Sequence, residues 1–208
     1  MVGTAEKIIS AGAGALAAWA LAAGAVAQPF VVEGSCRDGQ PHGAYELKMS
    51  NGQLRVAGAF SHGKRTGSFL FWTTSGARIA HLPFDEDEMN GTVALWYPDK
   101  RDPAPKLEAA FVAGRLHGVK RSWHPNSRLR AEFQYGSGTL LDAKAFDVAG
   151  KPLPVLEARA LAVRDAQTDT NEYASLYQIV RDNLPCKLAA VGAAEWSRWR
   201  ERTNGVAP

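Results

Sequence analysis

Glycine recurs in this chain at a spacing that a row of similar turns satisfies. Gly39, Gly63, Gly114 and Gly138 are followed four residues later by Gly43, Gly67, Gly118 and Asp142. Nine residues further on, Gly52, Gly76 and Ser127 hold a third punctuated position. Gly91 supplies the member between Gly67 and Gly118, with Asp87 in the preceding slot, and a fifth, degenerate copy runs from Gly138 to Gly150. The steps along the first slot are 24, 24, 27 and 24 residues, the longest containing an enlarged proline-rich loop at 98–105. A fixed period of this size is the mark of a repeat architecture, in which each copy buries its apolar face against the next.

Each copy reads turn, strand, turn, strand. In the first, Asp38 to Gly43 make a turn, Ala44 to Met49 alternate, Ser50-Asn51-Gly52 turn again and Gln53 to Phe60 return. Asn-Gly between alternating segments is a strong hairpin signal, because both residues take positive φ at little cost. Ser75-Gly76 and Ala149-Gly150 follow the same logic. The expected fold is therefore mainly β: nine or ten short strands in stacked antiparallel hairpins forming a curved sheet, followed by C-terminal α-helices.

Gly-Gln-Pro-His-Gly-Ala-Tyr, Gly-Lys-Arg-Thr-Gly-Ser-Phe and Gly-Arg-Leu-His-Gly-Val-Lys resemble the turn-and-strand signature of MORN-type repeats. With the second Asn-Gly turn, residues 37–150 look most like the bacterial variant found in YwqK-family antitoxins. The resemblance implies a binding or assembly module without catalysis. Asp87, Ser127 and Asp142 at glycine slots, and the proline-rich insertion, depart from the pattern.

Residues 8–27 carry no charge, follow Glu6 and Lys7 and end in Ala25-Val26-Ala27. A polar start, an apolar middle and a small-x-small site make a secretory signal peptide over 1–27, the alternative being a retained membrane anchor. The repeat domain is placed at 28–153, a helical segment at 154–186 and a frayed tail at 187–208. Export places the protein in the periplasm or outside the cell. There an even cysteine count suggests a Cys36–Cys186 bridge, the alternative being two unpaired thiols.

In the helical segment, Pro154 suits a helix start and Val155 to Arg164 have helix-forming composition. Asp169-Thr170-Asn171-Glu172 resembles a capping box opening a second stretch. Tyr173, Leu176, Tyr177, Val180 and Leu184 then share one face, which the apolar side of the sheet is expected to cover. The tail alternates Trp196 and Trp199 with Arg198, Arg200 and Arg202; a membrane-surface role is weighed against a frayed helix, and the second is preferred.

Chemistry finds little support. A chain 46% hydrophobic and 22% charged, with net charge +3, is neither disordered nor shaped for nucleic acid. Gly58 to Lys64 match G-x-x-x-x-G-K, but Arg65 stands where Mg²⁺ needs a hydroxyl, and the stretch lies between strands, so no nucleotide is expected. Asp85-Glu86-Asp87-Glu88 lacks calcium-loop spacing and reads as a solvated acidic turn. His42, His62 and His117 sit at turns, without ligand spacing for a metal, and suggest a structural slot in which one imidazole bonds the next turn. No nucleophile elbow occurs. The expectation is a protein without catalytic residues, metal or cofactor.

Trp72, Trp96 and Trp123 each lie five residues after a repeat glycine, so they stack on neighbouring hairpins. Alternation groups them with Ser68, Leu70, Thr92, Ala94, Val119 and Arg121, the less apolar side of the sheet. Two readings are open. Trp72, Trp96, Trp123 and Arg121 form a binding surface, or the rings are covered by the C-terminal helix or by one another. The expected partner is a protein, in the antitoxin-like form a toxin, with a polysaccharide such as peptidoglycan as the alternative.

Overall fold

The computed structural model describes residues 30–98 and 104–186. The expected signal segment, the tail and the middle of the proline-rich loop lie outside the described residues. Among those described, eleven strands form one antiparallel sheet: β1 (Phe30–Arg37), β2 (Gln40–Met49), β3 (Leu54–Ser61), β4 (Lys64–Trp72), β5 (Arg78–Asp85), β6 (Glu88–Met89), β7 (Gly91–Trp96), β8 (Pro105–Val112), β9 (Arg115–Trp123), β10 (Leu129–Gly136) and β11 (Thr139–Ala145). The strands follow one another in chain order across the open sheet, with the short β6 pairing only with β5.

The glycine slots are the turns. Five two-residue connections have positive φ at both central positions: Asp38-Gly39, His62-Gly63, Glu86-Asp87, Ala113-Gly114 and Ser137-Gly138. This is the type I′ geometry whose twist matches that of paired strands. Asp87 (φ 72°) takes the glycine conformation in the third copy, as Ser127 (φ 65°) does in the third slot of its copy. At the other end of the hairpins one pattern of two bonds repeats. Met49, Thr73, His124 and Asp147 each donate N–H to the residue four on and accept from Gly52, Gly76, Ser127 and Gly150 respectively. Asp142 is the slot that departs: it shows no positive φ and lies inside β11.

One face of the sheet is covered by a single helix, α1 (Val155–Asp182), which is 28 residues long. The separate second helix expected at Asp169 does not form, because the Asp169 carboxylate is bonded to Lys120 on β9 and not to the amides of a new helical turn. The helix crosses the strands. Ala158 and Ala162 pack with Ala131, Phe133, Ala143 and Ala145 of β10 and β11. Further along, Tyr173 meets Phe111 of β8 and Tyr177 meets Phe84 of β5. Past its end the Asn183 carbonyl accepts from Tyr45 Oη on β2 at 2.9 Å, and Pro185 rests on Gly34 of β1. At 1.5 Å per residue the helix is about 42 Å long, and nine inter-strand steps of about 4.8 Å come to about 43 Å. The helix thus spans the sheet, and the Cys36–Cys186 disulfide, with Cα atoms 6.0 Å apart, fastens its far end to β1. Leu184 lies beyond the last turn but still packs against the core.

The larger core is an aromatic row on the helix side: Tyr45, Phe60, Phe69 and Phe84 in edge contacts, with centroids 5.4–5.5 Å apart for the steps Tyr45–Phe60, Phe60–Phe69 and Phe69–Phe84. Gly58 makes room for it, since a Cβ there would lie 2.6 Å from the Phe69 ring. Gly58→Val is expected to destabilise the fold by about 1–3 kcal/mol through overpacking, read as a lower urea midpoint at unchanged slope. A neutral outcome would mean the ring can move aside.

Candidate functional site

The three tryptophans lie on the face that α1 leaves open. In β4, Phe69 and Phe71 are buried toward the helix, as are Val93 and Leu95 in β7, so Trp72 and Trp96 point the other way. In β9 the helix side is taken by Lys120 and Ser122, which sends Trp123 and Arg121 to the open face. None of the three rings belongs to either buried cluster, and each is half-buried. Cover by the C-terminal helix is thereby excluded for all three.

Strand polarity aligns them. β4, β7 and β9 run in the same direction within the sheet, and each ends in its tryptophan, so the rings share one end of the face. They are two strands apart, about 9.6 Å per step. The same slot in the first hairpin holds Lys48, which pairs with Glu33 and Glu46 at 2.7 and 2.8 Å. Each tryptophan sits where the register shifts: between Phe71 and Trp72, Leu95 and Trp96, and opposite Leu129/Ala131 for Trp123. A bulge of this kind re-aims side chains.

The bulges also supply supports that sequence reasoning missed. The unpaired residue on the returning strand is Arg55, Ile79, Lys106 or Arg130 in successive hairpins. Arg55 Nη1 donates to the Trp72 carbonyl, and Tyr97 Oη donates to the Trp123 carbonyl at 2.8 Å. Two of the three ring-bearing backbones are thus held by side chains. Beside the bulge, Arg78 is the cross-strand partner of Trp72 and lays its guanidinium 4.4 Å from the centroid of Trp96. Arg121 pairs with Glu132 at 2.9 Å and lies two residues from Trp123. Periodicity identified the rings; Arg78 was hidden because a bulge changes which side a neighbour takes.

On the covered face, charges replace the apolar row at one hairpin. The slots filled by Tyr45, Phe69 and Val93 in the other copies hold Lys120 in β9, and Leu47, Phe71 and Leu95 give way to Ser122. Helix α1 answers with an acidic stripe. Asp165 takes Arg130 in a two-bond pair at 2.6 and 2.9 Å, Asp169 takes Lys120, and Glu172 takes Lys106 at 2.6–2.7 Å. Burial pushes the Asp169 carboxyl above the ordinary carboxylate range, an effect that Lys120 opposes. The belt divides the two apolar clusters and sets the helix in register on the sheet. It could have been suspected from Lys120 standing in an apolar slot.

Other expectations resolve locally. Gly58–Lys64 is the end of β3, a type I′ turn and the start of β4, with no helix for a phosphate to cap. The acidic turn is not simply solvated. Asp87 Oδ1 accepts from Arg65 N and Nε at 2.8 and 2.7 Å, Glu86 pairs with Lys64 at 2.7 Å, and the Arg65 guanidinium lies over Phe84 and Tyr177. His62 donates its backbone N–H to His42 Nδ1 at 3.3 Å with the rings 4.9 Å apart, so one imidazole does bridge to the next turn. Among the described residues no group of three or more His, Cys, Asp or Glu is placed to hold a metal ion. Nor, among them, is any helix long and apolar enough to cross a membrane.

No protein-family model matches the chain. No curated protein matches it either. Among solved structures it is similar to TarM at 11% identity and a TM-score of 0.31, over 68% of this chain and 24% of that one. The chain therefore spans about a quarter of that structure's length, and a likeness this slight carries no argument about activity.

Proposed function

We propose that this is an exported, non-catalytic, MORN-like repeat protein that binds another protein with the open face of its sheet. The observation that carries the reading is the row of Trp72, Trp96 and Trp123 at one end of the sheet face opposite α1, where large amphipathic rings serve as binding anchors. The Cys36–Cys186 bridge supports export, since such bridges persist in oxidising compartments. In its narrower form, drawn from the resemblance to YwqK-family antitoxins, the partner is a toxin that the protein neutralises in the envelope.

The test places a photo-crosslinking residue at position 94, beside the row, in the producing cell. The expected result is one stoichiometric protein adduct that Trp96→Ala abolishes, with a melting temperature lowered by no more than about 3 °C. Intact capture with a much larger drop in melting temperature would make the rings core residues. Absence of any protein adduct, with Trp fluorescence shifting on addition of peptidoglycan oligosaccharides, would replace the protein partner by a glycan.

A further inference from the structure

The spacing of the row and a cation on it that has no carboxylate partner among the described residues narrow the partner's chemistry. From β4 to β9 the sheet takes four inter-strand steps, about 19 Å, with a tryptophan every second strand at about 9.6 Å. A polyproline II helix repeats every three residues, about 9.3 Å, and six of its residues cover about 19 Å. A segment in that conformation laid across the strands meets all three rings with the same edge, and the mismatch stays below about 1 Å over the row. An extended β-strand does not. Its same-side residues recur at about 6.6–6.8 Å, and its third residue, near the ring spacing, faces away.

Between Trp72 and Trp96 stands Arg78. Its guanidinium lies over the Trp96 ring, and no carboxylate pairs with it among the described residues, whereas Arg121 on the same face is matched by Glu132. An exposed cation held on an aromatic face presents donors for an acid. The flanks carry their own acids: Lys48 is paired with Glu33 and Glu46, and Arg121 is paired with Glu132 and stands across from the exposed Glu108, so Arg78 is the position on the row where an added acid is favoured.

We propose that the occupant of the Trp72–Trp96–Trp123 row is a proline-rich segment of the partner protein, in polyproline II conformation, carrying an acidic side chain that pairs with Arg78. This rests on the protein-binding reading above. Prolines fill the spaces between the rings at low entropic cost, as in other aromatic-lined grooves for such helices, and the acid selects register and direction.

The probes are three fifteen-residue peptides repeating Pro-Pro-Glu, Pro-Pro-Gln and Gly-Ser-Glu, titrated against the disulfide-bonded protein by Trp fluorescence and calorimetry. Pro-Pro-Glu is expected to bind about tenfold more tightly than Pro-Pro-Gln, the worth of one charge-assisted bond, and more tightly than the flexible Gly-Ser-Glu by a similar factor. Arg78→Gln should erase the preference for Glu over Gln while leaving proline preference in place. Trp72→Ala and Trp123→Ala should each weaken both proline peptides. Equal affinity for Pro-Pro-Glu and Gly-Ser-Glu, or binding indifferent to Trp72→Ala, overturns the proposal. A crosslinked partner whose captured segment lacks proline would refute it while the protein-binding reading stood. Loss of every protein adduct would remove that reading itself.

Discussion

Replacing Asp169 by alanine is expected to cost about 3–5 kcal/mol of stability, the penalty for leaving a buried ammonium without its counter-ion. Lys120 is 1% exposed and its nitrogen is bonded to Asp169, with Phe133 beneath it at 5.8 Å. The single change removes the carboxylate and keeps the charge where water cannot reach it. The paired variant Lys120→Leu/Asp169→Leu should recover most or all of the loss, since the equivalent slots in neighbouring hairpins already hold Tyr45, Phe69 and Val93. Denaturant midpoints of the wild type, both single variants and the double variant complete a cycle. An Asp169→Ala cost below about 1 kcal/mol would mean that Lys120 finds water or another acid.

Removing the disulfide is the second large effect. Cys36 and Cys186 are 150 residues apart in sequence, and the chain-entropy account assigns a loop of that length up to about 5 kcal/mol. Cys36→Ser/Cys186→Ser should therefore shift the urea midpoint downward by the largest amount of any surface change, with the tryptophan row still formed. The chain just before Cys186 is also positioned by Tyr45 on the Asn183 carbonyl and by Pro185 on Gly34, so the end of the helix should loosen but stay docked. A variant as stable as the parent would show that these contacts alone hold it.

Much of the fold was legible because its turns are chemical necessities. Positive φ at successive turn positions demands glycine or a tolerant substitute, and Asp87 and Ser127 show that departures from glycine kept the conformation. Strand alternation placed the three tryptophans and Arg121 on one face correctly, and the even cysteine pair was joined. The helix was misread at Asp169-Thr170-Asn171-Glu172. Those residue types open helices when their side chains bond local amides, but here Asp169 and Glu172 reach Lys120 and Lys106 across the sheet interface. Arg78 was likewise invisible. Its placement depends on the extra residue Ile79 in the ladder, a feature of strand pairing that no local pattern reports.

A helix that reaches from the last hairpin to the first also limits how such a molecule can grow. Each added 24-residue copy would widen the sheet by two strands, about 9.6 Å, which a helix matches only by gaining about six residues. Copy number is therefore tied to the length of a segment encoded elsewhere in the chain. Duplication of a hairpin alone would strand its inner face beyond the reach of its cover, so lengthening must occur at two distant points together.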